Sequence, residues 1–237
     1  MASLTDKVAL VTGGTRGIGR SIAEKLLDAG AAVVVCGRWQ AGVAQALEEM
    51  SGRGGGIHGR PCDVARYEEV ANLFRFIDET FGKLDILINN AGQGLFRHVE
   101  LIAQEEWDRI LATNLSGAFY CIREAIPLMK RAGGGYIINI ASLAGKNAMA
   151  GGTAYNASKF GLIGLSEAAM LDLRYDNIRV SYVMPGSVAT GFGGHAGGDE
   201  WKIAPGDVAD AVLHLLAMPQ RTLASRIEIR PTRPPRK

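Results

Sequence analysis

Lys7-Val8-Ala9-Leu10-Val11-Thr12-Gly13-Gly14-Thr15-Arg16-Gly17-Ile18-Gly19 is the stretch that decides how this chain is read. Residues 8–11 are short, apolar and valine-rich, as expected of a strand buried on both faces. Glycines at 13, 17 and 19 then allow a tight turn, close backbone approach and close helix–strand packing. A helix that starts there offers unpaired N–H groups to a pyrophosphate. Gly13, Thr15, Arg16, Gly17, Ile18 and Gly19 are therefore read as the phosphate cradle of a dinucleotide. No Gly-Lys-Ser/Thr is present in the turn, which excludes a triphosphate-binding loop.

Outward from this turn, apolar runs alternate with amphipathic stretches of helical length. Strands are expected at Val8–Val11, Ala32–Cys36, Gly56–Pro61, Leu84–Ile88, Tyr136–Ile140, Arg179–Val183 and Arg226–Ile229. Helices are expected near 18–30, 40–51, 66–81, 104–131, 154–175 and 206–217. Runs so rich in Val and Ile, without polar alternation, call for a parallel sheet covered on both sides. The expected fold is one α/β domain over 1–237, a doubly wound (Rossmann) seven-stranded parallel sheet with helices on both faces. Glycine clusters at 51–56 and 133–135 read as helix-to-strand connectors. A third glycine-rich stretch follows a strand's carboxyl end, where the ligand crevice lies, and a substrate lid is expected at 191–204.

The 237 residues are 47% hydrophobic with a net charge of +2, which suits a globular core and excludes a strong whole-molecule field for nucleic acid or membrane. A local exception is the basic tail at 230–237, with Arg230, Arg233, Arg236 and Lys237, read as solvated or as a subunit or acidic-ligand contact. Cys36, Cys62 and Cys121 have no metal-ligand spacing and read as small buried hydrophobes; no metal is expected. No signal-peptide core and no ~20-residue apolar run appears, so a cytoplasmic, reducing compartment is expected.

The end of the second strand, Cys36-Gly37-Arg38, lacks the acid that would bond a ribose 2′-hydroxyl. Arg38 and Arg16 suit a 2′-phosphate instead, which points to NADP(H). Asp63, followed by Val64, reads as an adenine contact, a helix N-cap, or both. Asn89-Asn90-Ala91-Gly92 follows the fourth strand, with small residues for close cofactor approach and amides to tie strand ends together. Tyr155 and Lys159 are four apart, hence on one helical face. A phenol beside an ammonium is expected to have its pKa lowered toward neutrality.

These motifs, in this order, resemble those of the classical short-chain dehydrogenase/reductases over essentially the whole chain. The matching residues are Thr12-Gly13-x3-Gly17-x-Gly19, Asp63, Asn89-Asn90-Ala91-Gly92, Asn114, Ser142, Tyr155-x3-Lys159, and Pro185-Gly186 with Thr190. The nearest look is to bacterial 3-oxoacyl-carrier-protein reductase-like members. The resemblance implies an NADPH-dependent oxidoreductase that interconverts a carbonyl and an alcohol. It implies that Tyr155 exchanges the proton, Lys159 holds the nicotinamide ribose and lowers the Tyr155 pKa, and Ser142 bonds the substrate oxygen. Asn114 would hold a water linked to Lys159, while Pro185, Gly186, Val188 and Thr190 would line the nicotinamide. A catalytically weak NADP-binding sensor is the alternative.

Two departures from the family pattern stand out. The segment after Thr190 is short, and the final strand runs into Arg230-Pro231 without a glycine-rich turn. A homodimer or homotetramer is expected, with Phe119, Ala125, Leu162, Leu165 and Ala169 as candidate surface. The substrate is expected to be a small-molecule carbonyl or alcohol in an apolar slot of Gln93, Gly94, Leu95, Phe96, Leu143, Ala144, Met149, Met184 and Phe192. Lys146 and His195 are candidates for a polar group, and Arg97, Arg109, Arg123, Lys130 and Arg131 for an acidic carrier protein.

Overall fold

The computed structural model describes residues 3–192 and 200–235. Seven strands run β1 Val8–Thr12, β2 Ala32–Gly37, β3 Ile57–Pro61, β4 Ile86–Asn89, β5 Gly135–Ile140, β6 Ile178–Pro185 and β7 Arg226–Ile229. All pair in parallel, in the order β3-β2-β1-β4-β5-β6-β7. The helices are α1 Gly17–Asp28, α2 Gln40–Met50, α3 Tyr67–Phe81, α4 Gln104–Leu111, α5 Gly117–Arg131, α6 Thr153–Leu173 and α7 Pro205–Ala217.

Alternate residues of each central strand feed two cores. Ala9, Val11, Val33 and Val35 pack with α1, α2 and α7 on one face. Val8, Leu10, Val34 and Cys36 pack with α3, α5 and α6 on the other. Burial on both faces holds for the inner strands but not the edges: β3 is half-exposed, and Arg226 and Glu228 of β7 face water. The strand order reverses between β1 and β4, so a crevice opens at their carboxyl ends. Cys36, Cys62 and Cys121 are buried and unpaired.

One long element was misread from the sequence. The run 104–131 is not one helix. It is α4, a π-helical turn at Ala112–Ser116, and then α5. Hydrogen bonding at i→i+5 widens the helix where Asn114 must turn toward the crevice, and such bulges are common at functional sites.

Among the described residues, no helix is long and apolar enough to cross a membrane. The tail begins as packed structure: Gly186 N donates to Ile229 O (2.8 Å), and a Cβ at Gly186 would meet Pro231 Cδ at 2.9 Å.

Candidate active site

The turn after β1 is packed to the limit of its glycines. Gly13 is in the left-handed region (φ 61°). A Cβ at Gly19 would lie 2.3 Å from both Asn90 Nδ2 and Gly13 O. Arg16 is the N-cap of α1, extended and without a side-chain cap. The first N–H groups of α1 therefore have neither an intrahelical partner nor a capping side chain. Arg16 and Arg38 are exposed and lack carboxylate partners among the described residues. Arg38 lies over the Trp39 ring at 5.9 Å. Thr15 packs against Gly37, with Cγ2 3.0 Å from where its Cβ would be.

Asp63 does not cap α3, whose N-cap is Arg66. The Asp63 carboxylate instead accepts from Ala65 N (3.1 Å), closing a tight local turn. Val64 is buried against Gly117 at the start of α5. The asparagines after β4 do tie strand ends together. Asn89 Nδ2 donates to Asn139 Oδ1 on β5 (2.9 Å), and Asn90 Nδ2 donates to Thr12 O (2.9 Å) and Gly13 O (3.1 Å). Thr12 Oγ1 accepts from the N–H groups of Asn90 and Ala91, each at 3.0 Å.

The second cluster gathers four residues from three segments. Asn114 comes from the π turn, Ser142 follows β5, and Tyr155 and Lys159 lie on α6. Asn114 is 1% exposed. Its Oδ1 accepts from Gln93 N (2.8 Å), and its Nδ2 donates to Gln93 O (2.9 Å) and Ser158 Oγ (3.0 Å). Ser158 Oγ in turn donates to Tyr155 O (2.7 Å). Lys159 Nζ is buried, donates to Ile140 O (2.9 Å) and lies 5.8 Å from the Tyr155 ring centroid. An atom at the Cβ position of Gly92 would sit 3.4 Å from Asn114 Oδ1 and 3.9 Å from Lys159 Nζ. Ser142 Oγ accepts from Ala144 N (3.1 Å), leaving its own proton to point elsewhere.

The electrostatics depart from the expectation that Lys159 draws the phenol pKa down. Burial raises the Tyr155 pKa, and the hydrogen bond with Ser142 opposes this only in part. Burial also draws Lys159 down, to about 8. Each charged form is disfavoured because water is excluded from both groups.

Pro185 ends β6, and Val188 and Thr190 follow. Thr190 faces the glycine turn, its Cβ 3.4 Å from the Cβ position of Gly17. Ala189 N donates to Ile203 O (2.9 Å) and Ile203 N to Ser187 O (3.0 Å). The two ends of the expected lid segment are thereby pinned together. Residues 193–199, with His195, lie outside the described residues, as do Arg236 and Lys237.

Ion pairing and packing bear on several surface expectations. Lys146 pairs with Glu228 (2.9 Å), which also accepts from Arg230 (2.8 Å). Of the basic face offered to a carrier protein, Arg97 pairs with Glu106 (2.8 Å), Lys130 with Asp176 (2.8 Å) and Arg131 with Asp78 (2.5 Å). Arg123 lies over Tyr67. Of the expected subunit surface, Ala125, Leu162 and Ala169 are buried against the sheet, while Phe119 is exposed.

Sequence reasoning missed the groups that hold the catalytic candidates in place. Asn139 Nδ2 donates to Ser166 Oγ (2.8 Å), coupling β5 to α6 inside the core. Asn156 Nδ2 donates to Asn147 O (3.1 Å), clamping the Ser142 loop to α6. Asn139 interrupts the otherwise apolar run Tyr136–Ile140, and that interruption was the available signal.

A doubly wound sheet with a glycine turn at its switch point is the architecture of a dinucleotide-binding protein, and here α6 brings Tyr155 and Lys159 to the same crevice. The profile of the short chain dehydrogenase family matches residues 7–200. An uncharacterized oxidoreductase of Staphylococcus aureus strain MW2 is 34% identical over 232 residues, covering 98% of this chain and 100% of that one. A metagenomic short-chain oxidoreductase solved with NADP superposes with a TM-score of 0.87 at 37% identity, covering 98% and 100% of the two chains. An alcohol dehydrogenase from the archaeon Thermococcus sibiricus, solved with 5-hydroxy-NADP, gives 0.90 at 27% identity, covering 98% and 99%. The chain belongs to the short-chain dehydrogenase family and is an oxidoreductase.

Proposed function

We propose that this protein is an NADP(H)-dependent carbonyl reductase, running reversibly between a ketone or aldehyde and its alcohol. The observation that carries this reading is the buried Lys159 ammonium. It has three N–H donors, yet among the described residues Ile140 O is its single hydrogen-bond acceptor. It lies beside the Tyr155 ring and within 4 Å of the space above Gly92. Buried donors call for acceptors, and the hydroxyls of a nicotinamide ribose would supply them.

Other residues fit the same group. The uncapped N-terminus of α1 suits the pyrophosphate, with Gly13, Thr15, Gly17, Ile18 and Gly19 around it. Arg16 and Arg38 suit the 2′-phosphate; Asp63 and Val64 suit the adenine; Asn90, Ala91 and Gly92 suit the ribose. Pro185, Gly186, Val188 and Thr190 suit the nicotinamide. The NADP of a solved relative supports this choice of cofactor. When bound, NADPH supplies the hydride.

The chain's own residues manage the proton. Burial keeps Tyr155 protonated at neutral pH, as a general acid must be before reduction. Tyr155 gives that proton to the carbonyl oxygen. Ser142 donates its hydroxyl hydrogen to the same oxygen as negative charge develops. Lys159 stabilises the phenolate left behind. The second lone pair of Asn114 Oδ1 and Lys159 Nζ can share a water above Gly92, a route for reprotonation.

The test is NADPH oxidation against a panel of ketones, aldehydes, diketones and β-ketoacyl esters. Tyr155→Phe is expected to lose about 10²–10⁴-fold in kcat with NADPH affinity kept. An unchanged rate in that variant overturns the proton role, and tighter binding of NADH than NADPH overturns the cofactor.

The exposed Phe119, Phe160 and Leu171 on α5 and α6 support a homo-oligomer through that face. Phe160→Glu is then expected to give monomers by sedimentation, and an unchanged mass refutes it. The pinned ends at Ala189 and Ile203 support a lid between them. NADP should slow proteolysis within it, and equal cutting counts against a lid. The buried, unpaired cysteines suit a reducing cytoplasm; partition of the tagged chain into the cytosolic fraction tests this, and recovery elsewhere refutes it.

A further inference from the structure

Two half-exposed phenylalanines stand over the phenol of Tyr155. The Phe96 ring centroid is 5.5 Å from that of Tyr155, at an interplanar angle of 58°. The Phe192 centroid is 5.8 Å away, at 54°. The two rings come from separate segments, one beyond β4 and one beyond β6, and converge over Gly94. A Cβ built at Gly94 would lie 2.7 Å from Phe192 Cε1 and 3.0 Å from Phe96 Cε2. Only a residue without a side chain lets both rings reach this position. Tyr155 is 9% exposed, whereas each phenylalanine is 46% exposed. What the site presents to an incoming molecule is therefore two tilted aromatic faces with the phenol behind them.

Neighbouring backbone contacts hold both segments. Arg97 N donates to Gly151 O (2.7 Å), tying the residue after Phe96 to the turn that leads into α6. Phe192 N donates to Thr190 Oγ1 (3.4 Å). Among the described residues, charged side chains near these segments are engaged with each other. Arg97 pairs with Glu106, His98 lies 3.5 Å from Glu100, and Lys146 pairs with Glu228. An anionic substrate would compete with Glu106 and Glu228 for these cations. A flat apolar substrate would instead cover aromatic surface now facing water, and would gain edge and face contacts with the rings.

We infer that Phe96 and Phe192 determine specificity, forming a clamp that selects ketones whose carbonyl is attached to a planar aromatic ring. The inference rests on the reductase reading and names its substrate class. In the step concerned, the ketone C=O π bond breaks as carbon takes a hydride from NADPH and oxygen takes the Tyr155 proton. The ketone is reduced to a secondary alcohol and NADPH is oxidised to NADP⁺. A saturated ring of the same size is puckered and cannot lie flat against either phenylalanine.

The experiment compares acetophenone with cyclohexyl methyl ketone, matched in size but not in planarity. Both are assayed by NADPH oxidation with the parent, Phe96→Leu, Phe192→Leu and the double variant, each checked for NADPH binding and Tm. The ratio of kcat/KM for the two ketones is expected to fall about tenfold in the double variant, carried mainly by KM for acetophenone. A ratio that the substitutions do not change overturns the clamp while leaving the reductase reading intact. No turnover of acetophenone by a parent that reduces another carbonyl of the panel overturns the clamp alone, and no NADPH oxidation with any carbonyl of the panel, with NADPH still bound, overturns both.

Discussion

The two ends of the crevice are built from different materials. At the β1–β2 end, recognition is left to backbone. Glycines 13, 17 and 19 bring main chain to main chain, and the exposed side chains Arg16 and Arg38 stand at the rim. At the β5–β6 end, recognition is left to buried side chains: Asn114, Tyr155 and Lys159 are each under 10% exposed. Backbone donors keep their dipoles whatever the pH, so the first end is insensitive to titration. The second end holds ionisable groups away from water, and its protonation state is set by burial. The lesson is that a site can place its fixed polarity and its switchable polarity in separate regions of one fold.

The largest break in this contrast is expected from Lys159→Met. Turnover should fall by about 10²–10⁴-fold, since the phenolate loses its cation and the cofactor a partner. Stability should move the opposite way. Burial lowers the folded-state pKa of Lys159 to about 8, below the ordinary value of about 10.4 for an unfolded lysine. Below about 8 the chain carries the full cost of a buried ammonium. Between there and about 10.4, the unfolded chain binds a proton that the folded one does not, so parent stability rises with pH. Lys159→Met should thus melt higher than the parent at pH 7 by roughly 5 °C. That advantage should shrink as the pH rises through the window. A variant that melts lower at pH 7 would mean that the ammonium is not paying a net desolvation cost.

At the backbone end, Gly19→Ala places a methyl where Gly13 O and Asn90 Nδ2 already are. Overpacking of this kind costs about 1–3 kcal/mol, so Tm should drop by several degrees and NADPH affinity with it. A Gly19→Ala protein with parental Tm and affinity would show that this turn can relax, and the contrast would weaken. The smallest effect is expected at the rim. Arg38→Asp should reverse the cofactor preference by roughly one to two orders of magnitude toward NADH, with Tm within about 2 °C of the parent. Isothermal titration with both nucleotides measures it, and a retained preference for NADPH would move 2′-phosphate recognition away from Arg38.

Much of the fold was legible because its signals are local. Valine-rich strands, glycine turns and helix-length amphipathic spacing each depend on residues a few positions apart. The strand and helix expectations fall within a few residues of the observed elements, apart from the break at 112–116. That break was hidden because Ala112-Thr113-Asn114-Leu115-Ser116 has neither glycine nor proline. A π turn there is stabilised by what Asn114 reaches across the crevice, not by its own neighbours. The same reason explains why the sequence left Ala125, Leu162 and Ala169 open between the sheet and a subunit surface. An apolar residue on a helix reads identically whether it faces a sheet or a second subunit.

By itself the sequence determined the parallel doubly wound sheet, the glycine turn after its first strand and the membership of Asn114, Ser142, Tyr155 and Lys159 in one family pattern. Those follow from short-range spacing and residue type. Only the tertiary structure decided that burial raises the Tyr155 pKa and lowers that of Lys159, that Arg97 and Lys146 are ion-paired, and that Phe96 and Phe192 meet over Gly94. Each of these depends on how much water reaches a group and on which distant segment stands beside it. Neither quantity is carried by any local stretch of chain.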